Sequence, residues 1–262
     1  MSSSVALTLG RGSVCVFVSA STRCFAELDV WQALRQLMDL EFDKVEFWMD
    51  EESSHLRPSE VVGNAEEFAG RVREESRMMP IAFTLAHDVE GDLFRELCKA
   101  AKLLRVTQLT VPASPAGTPF NSEVDRLKAF ASIASSEGVR VAIKTESGTL
   151  SADPHTAVEL CQTVKGLGLT FDPSYFLGHP LSESLYGLVA PHTLHVHLRD
   201  STPENLQVQV GLGEIDYSRL ISHLEKERYV RALSVDVFPD LISADERPLE
   251  LRKLRMLLDS LL

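Results

Sequence analysis

Thr193-Leu194-His195-Val196-His197-Leu198-Arg199-Asp200 alternates strictly. Leu194, Val196 and Leu198 occupy one set of positions, and His195, His197 and Arg199 the other. Side chains of a β-strand point to opposite faces with a period of two, so this segment predicts a strand with one apolar and one ionisable face. An apolar face suits packing against helices. A face of two histidines and an arginine suits a lumen where such groups meet partners. Four other segments repeat the pattern. Val45, Phe47 and Met49 alternate with Glu46 and Trp48. Val139, Val141 and Ile143 alternate with Ala142, Lys144 and, one pleat further, Glu146. Leu169 and Phe171 alternate with Thr170 and Asp172, and Leu233, Val235 and Val237 with Ser234 and Asp236.

Working outward, eight short apolar runs read as strands: 14–20, 44–49, 80–85, 105–111, 139–145, 168–172, 193–198 and 232–237. Helical spacing fills the intervals, as in Val30, Trp31, Leu34, Leu37 and Met38, in Val124, Leu127, Phe130, Ala131 and Ala134, and in Leu220, Ile221 and Leu224. Asp153-Pro154 places a capping side chain before a proline at the first helical position, and Asp216 and Ser243 are further N-cap candidates. Gly138 and Gly166 stand where two helices should end. Eight strand–helix units in 262 residues, without a Gly/Ser/Pro-rich linker, predict one domain over residues 1–262, a single-domain α/β (β/α)8 TIM barrel. An open doubly wound sheet is the competing architecture, but no strand is followed by GxGxxG or a P-loop. Residues 4–9 are a candidate for an extra strand at the barrel bottom.

Composition narrows the function. The net charge of −12, with no basic cluster, opposes binding to a phosphate backbone, so nucleic acid is not an expected partner. No window approaches the roughly 18 apolar residues of a membrane span, and no signal peptide is recognisable, so neither a membrane partner nor secretion is expected. Four cysteines without a CxxC pair argue against a disulfide scaffold or thiolate zinc site; a reducing cytoplasm is the expected location.

The ionisable lumen residues gather at the C-terminal ends of at least five strands, the end where barrel active sites form. Glu46, Trp48, His195 and Arg199 are substrate-binding candidates there, with Trp48 as an apolar wall. His87, after the third strand, is either a pocket residue or an exposed loop residue. His195 is either a pocket group or a hydrogen-bonded barrel histidine. His55, His155, His179, His192 and His223 read as surface residues.

Taken together, the segments resemble the xylose isomerase-like, sugar phosphate isomerase/epimerase family over nearly the whole chain. The resemblance is carried by Val45-Glu46-Phe47-Trp48, by Gly138-Val139-Arg140-Val141-Ala142-Ile143, by Phe171-Asp172-Pro173-Ser174, by His195-Val196-His197-Leu198-Arg199-Asp200 and by Gly211-Leu212-Gly213-Glu214-Ile215-Asp216-Tyr217. Order and spacing together make it specific. It implies one divalent cation (Mn, Mg or Zn) held by Glu, Asp, His and Glu from the fifth to eighth strands. In this chain those positions are Lys144, Asp172, His197 and Asp236. Lys144 departs from the pattern, because a protonated ammonium has no lone pair to give. Tyr175 departs as well, standing where the resembling turn carries His; that position contacts substrate or metal in the family, so the resemblance implies that Tyr175 is a substrate-binding candidate.

Two readings of the altered site stay open. Lys144, Asp172 and Asp236 sum to −1, the net charge of three carboxylates with a bound +2 ion, so Lys144 can replace the cation and no metal is needed. Alternatively Glu146 replaces the missing ligand and the metal set is Asp172, His197, Asp236 and Glu146. The resemblance implies a sugar or polyol (phosphate) isomerase or epimerase that moves a proton next to a carbonyl, with Lys144, Glu146, His197 and Asp236 as catalytic candidates and a small carbohydrate-like molecule as partner. The competing readings are a lyase or aldolase-like enzyme using Lys144 as a Schiff base, and a non-catalytic member that binds a metabolite.

Overall fold

The structure, a computed structural model, describes residues 16–179 and 182–262. Eight parallel strands close into one barrel in the order β1 to β8: β1 (Phe17–Ser21), β2 (Lys44–Met49), β3 (Met79–Leu85), β4 (Gln108–Pro112), β5 (Arg140–Lys144), β6 (Leu167–Phe171), β7 (Thr193–Leu198) and β8 (Ala232–Val235). Closure is made by β1 pairing β8, with Phe17 opposite Ala232 and Ala20 opposite Val235. Residues 14 and 15 of the expected first strand, and the expected extra strand at 4–9, lie outside the described residues. The fourth strand starts three residues later than expected, because Arg105 takes a left-handed turn (φ 59°) after the preceding helix.

Nine helices surround the described barrel: α1 (Val30–Asp39), α2 (Pro58–Gly63), α3 (Ala65–Glu75), α4 (Gly91–Leu103), α5 (Phe120–Ser136), α6 (Pro154–Thr163), α7 (Ser182–Val189), α8 (Tyr217–Lys226) and α9 (Arg247–Leu261). Their starts have identifiable causes. Asp29 and Gln32 form a capping box on α1, Asp153 accepts the Thr156 N–H ahead of Pro154, and Asp216 accepts the Arg219 N–H. Ser243 caps the turn leading into α9, while α9 itself starts at Arg247. Gly138 and Gly166 follow α5 and α6 with φ of 74° and 91°, a region that favours glycine.

The hydrophobic core lies between strands and helices. Val45, Phe47, Val141, Ile143, Leu169, Phe171, Val196 and Leu233 all belong to it. The lumen is polar instead: Ser19, Glu46, Thr84, Gln108, Thr110, Lys144, Thr170, His195, His197 and Ser234 are buried there. Two strand pairs depart from simple register: between β2 and β3, Val45 faces Pro80 while Glu46 faces Ala82. Between β6 and β7 the register slips, so that Leu169 faces Thr193 while Thr170 faces His195, leaving Leu194 unpaired in a bulge. Gly168 accommodates it, because a Cβ there would overlap the Leu194 side chain. Among the described residues, no helix is long and apolar enough to cross a membrane.

Candidate active site

The site is built in two polar layers stacked along the lumen. Glu46, on β2, centres the lower layer. Its Oε2 accepts from His195 Nε2 at 2.8 Å and from the Ser234 hydroxyl at 2.6 Å. Its Oε1 pairs with His197 Nε2 at 2.7 Å and accepts from the Thr84 hydroxyl. Burial would raise the pKa of this carboxyl, but the charge and hydrogen bonds of the two histidines outweigh that and hold it well below the ordinary value.

The upper layer holds two carboxylates among cations. Asp172 ends β6. One of its oxygens accepts from the backbone N–H (3.1 Å) and hydroxyl of Ser174, fixing the turn Pro173–Tyr175, and the other accepts from the Arg199 guanidinium. Arg199 also donates to the Asp236 carbonyl at 2.7 Å and stands 3.4 Å from Asp236 Oδ2. Around that same oxygen lie His197 Nδ1 at 3.4 Å, Lys144 Nζ at 3.7 Å and Arg23 at 3.9 Å. Burial opposes ionisation of Asp236, yet His197, Lys144, Arg23 and Arg199 together pull its pKa far below the usual range. Lys144 shows the opposite balance: desolvation lowers its pKa, and Asp236 only partly restores the charged form. The Phe238 ring roofs this cluster, with the Arg199 and Arg23 guanidinium carbons 3.8 and 3.9 Å from its centroid.

Above the layers opens a cavity of about 280 Å³ at the C-terminal end of the barrel, lined by Arg23, Trp48, Asp50, Thr84, Leu85, Ala86, His87, Lys144 and Glu146. Lys144 and Glu146 present the ammonium and the carboxylate that a ligand would meet there. Tyr175 supports Glu146 from the side, its hydroxyl 3.4 Å from the carboxylate.

The residues singled out in the sequence fall into three positions. Trp48, His87, Lys144 and Glu146 line the cavity, His87 on its exposed rim. Asp172, His197, Asp236 and Arg199 converge just beneath. Arg199 is fully buried, so it serves as internal counter-ion to the two aspartates and does not face the cavity. Glu46 and His195 lie deeper, and His195 reaches a second cavity at the opposite end of the barrel. His55 corrects an expectation: it is buried beside Trp48, not on the surface. Its Nδ1 lies 2.6 Å from the Leu28 carbonyl, which makes Nδ1 the donor, and its Nε2 accepts from the Thr22 hydroxyl at 2.9 Å. Thr22 in turn accepts the Trp48 N–H, so this network fixes the cavity wall. Sequence reasoning misses Arg23 and Phe238. Both sit in turns just past β1 and β8, where alternation stops carrying information; the position of Arg23 at a strand's C-terminal end is the available signal.

The loop between β7 and α8 explains the two-glycine motif. Asp200 Oδ2 accepts the N–H groups of Gly211 (2.7 Å) and Gly213 (3.1 Å). A Cβ on Gly213 would overlap the Asp200 carboxylate and stand 2.7 Å from the Ser201 nitrogen.

Two groups bring three potential metal ligands within 4.8 Å of one another: Asp172, His197 and Asp236, and Glu46, His195 and His197. The two sets differ in what is free: His197 Nδ1 and Asp236 Oδ1 of the first are buried without a hydrogen-bond partner among the described residues and could ligate an ion. Against that, both Asp172 oxygens are engaged, and the Arg199 guanidinium and the Lys144 amine stand against the carboxylates. A +2 ion about 4 Å from a single positive charge costs about 8 kcal/mol at an effective dielectric constant near 20. In the second, the 2.7 and 2.8 Å contacts are hydrogen-bond distances. Ligands arranged tetrahedrally at about 2.1 Å from one zinc would be about 3.4 Å apart.

The chain belongs to the xylose isomerase-like TIM barrel family, whose sequence profile matches residues 34–260. No curated protein sequence matches it. Among solved structures, it is similar to a probable 3-DHS dehydratase involved in petrobactin synthesis from Bacillus anthracis (TM-score 0.72, 13% identity, covering 93% of this chain and 98% of that one). It is also similar to a D-allulose 3-epimerase from Methylomonas sp. in complex with D-allulose (0.68, 12%, 92% and 90%). A third is a xylose isomerase-like TIM barrel protein from Mycobacterium smegmatis in complex with magnesium (0.68, 16%, 92% and 97%). At these identities the likeness shows the shared fold.

Proposed function

We propose that this barrel is a proton-transfer enzyme, an isomerase or epimerase, acting on a small sugar-like hydroxy-carbonyl compound, with the charge of a metal ion supplied by its own cations. The observation that carries the reading is the ion cluster: Arg199 and Lys144 stand against Asp172 and Asp236, the carboxylates that the family resemblance assigns to a metal. The D-allulose complex of the Methylomonas epimerase supports a small sugar as the substrate class.

The chemistry follows from the cavity lining. A hydroxy-carbonyl substrate lies against Trp48 with its carbonyl oxygen toward Lys144 and Arg23. Glu146 takes the proton from the adjacent carbon, and the electron pair moves onto the oxygen to give an enediolate. Lys144 and Arg23 stabilise that charge. For isomerisation the hydroxyl proton passes to the former carbonyl oxygen while Glu146 returns its proton to the neighbouring carbon; for epimerisation the Lys144 ammonium protonates the opposite face, and the proton left on Glu146 exchanges through water to restore Lys144. Asp236, itself held by Arg199, keeps Lys144 in position from below, and neither touches substrate. The test is solvent exchange. Incubation with D-allulose or D-fructose in D₂O should place deuterium next to the carbonyl, unaffected by a chelator. Glu146→Gln and Lys144→Met should each slow exchange by about 10²–10⁴-fold. Exchange that needs added Mn²⁺ would contradict the reading.

One observation favours a second reading. Burial lowers the Lys144 pKa, which is what Schiff-base formation requires. Borohydride treatment with a keto sugar would then leave a covalent mass increase on Lys144; an unmodified Lys144 dismisses this route.

A further inference from the structure

Another cavity is larger than the one above Lys144. About 780 Å³ opens at the N-terminal end of the barrel, among the starts of β1, β3, β4, β7 and β8. Its walls are apolar, and Met79, Leu103 and Val230 around it stay substantially exposed, at 52%, 39% and 40%. Gln108 and His195 form its polar floor. Its charge is one-sided. Arg73, Arg105 and Arg231 line it, and among the described residues that line it none is acidic, in a chain with 38 Asp and Glu and a net charge of −12. Arg105 and Arg231 have no ion-pair partner among the described residues, and Arg73 donates to the Leu103 carbonyl.

An apolar cavity of this size with a few convergent polar groups has the form of a small-molecule site, which usually spans roughly 300–1,000 Å³. Three arginines without carboxylates fix the sign of the ligand. We infer that the N-terminal end of the barrel binds an amphipathic organic anion, a carboxylate or phosphate head on an apolar body. The apolar part packs on Met79, Leu103 and Val230, and the head meets the three guanidinium groups. This site is separate from the one above Lys144 and does not depend on the proposed reaction. The chain's own first 15 residues are a poorer match in charge, since they contain Arg11 and no acidic residue.

Dodecanoate, kept below its micelle concentration and titrated calorimetrically into the full chain, tests this. The expected result is saturable binding near one per chain, with dodecyltrimethylammonium at least 10-fold weaker. The triple substitution R73Q/R105Q/R231Q, checked for folding by circular dichroism, should lower dodecanoate affinity at least 10-fold and leave the cationic amphiphile no weaker. Absence of saturable binding, equal affinity for the two amphiphiles, or undiminished binding in the triple variant each overturns the inference. So does binding that appears only in a full-length L7D/L9D variant, because the cavity would then be covered by the chain's own N-terminal segment.

Discussion

Asp236 Oδ2 has Arg199, Lys144 and Arg23 within 3.4–3.9 Å, with His197 Nδ1 also at 3.4 Å, a concentration of basic groups that a lone aspartate does not balance. Asp172 shares the load through Arg199. Replacing Lys144 by Glu reverses one charge in that layer and restores the carboxylate that the family resemblance implies. Lys144→Glu should unfold more easily than the wild type in a chelator, by about 3–5 kcal/mol, because buried charge is left uncompensated. It should regain part of that with Mn²⁺. Urea melts with and without Mn²⁺ read both effects; a variant as stable as wild type in the chelator removes Lys144 from the charge balance. The residue types at this site were readable, because Lys144, Asp172, His197 and Asp236 share a parity that the barrel preserves. The role of Arg199 was not. Whether a lumen arginine points to the cavity or folds under it depends on neighbours from β6 and β8, and periodicity within β7 holds no information about them.

At the scale of elements, the second strand and the seventh occupy the expected residues, and the other strand boundaries moved by up to three. Apolar alternation against helices is a strong local signal. The slip at Leu194 was hidden, because an inserted residue that is itself apolar leaves the pattern looking regular. The Gly211 and Gly213 pair was visible as a motif, and its reason is now physical: the Asp200 carboxylate occupies the place of a side chain. Gly213→Ala should therefore cost about 1–3 kcal/mol, as overpacking typically does, and should loosen the loop between β7 and α8. Hydrogen exchange of the backbone amides at positions 211 and 213 reads the loosening; unchanged protection and stability would show that the loop yields freely.

For the whole molecule, the polar lumen ties stability to pH. Glu46 and Asp236 both have folded-state pKa values below their unfolded values. Their contribution is therefore complete above the unfolded carboxylate range, roughly pH 4, and is lost as pH falls through the folded values. Unfolding free energy from urea melts should fall from pH 5 toward pH 2. Glu46→Gln should be less stable at pH 7 by about 1–3 kcal/mol, since its amide cannot accept the bonds that both carboxylate oxygens now take, and its acid slope should be shallower. Equal slopes in the two proteins would exclude Glu46 as a source of acid sensitivity.

Elemental analysis of the purified full-length chain, followed by thermal melts across a Mn²⁺ titration, bears most directly on the built-in cation. Arg199 and Lys144 against Asp172 and Asp236 require well under one equivalent of Mn, Mg or Zn per chain, and almost no stabilisation by added Mn²⁺. A true site at 100 times its dissociation constant would add about 2.7 kcal/mol, enough to move Tm by several degrees in a domain of this size. One tightly held metal per chain, with a shift of that order that Asp172→Asn abolishes, would contradict the metal-free site.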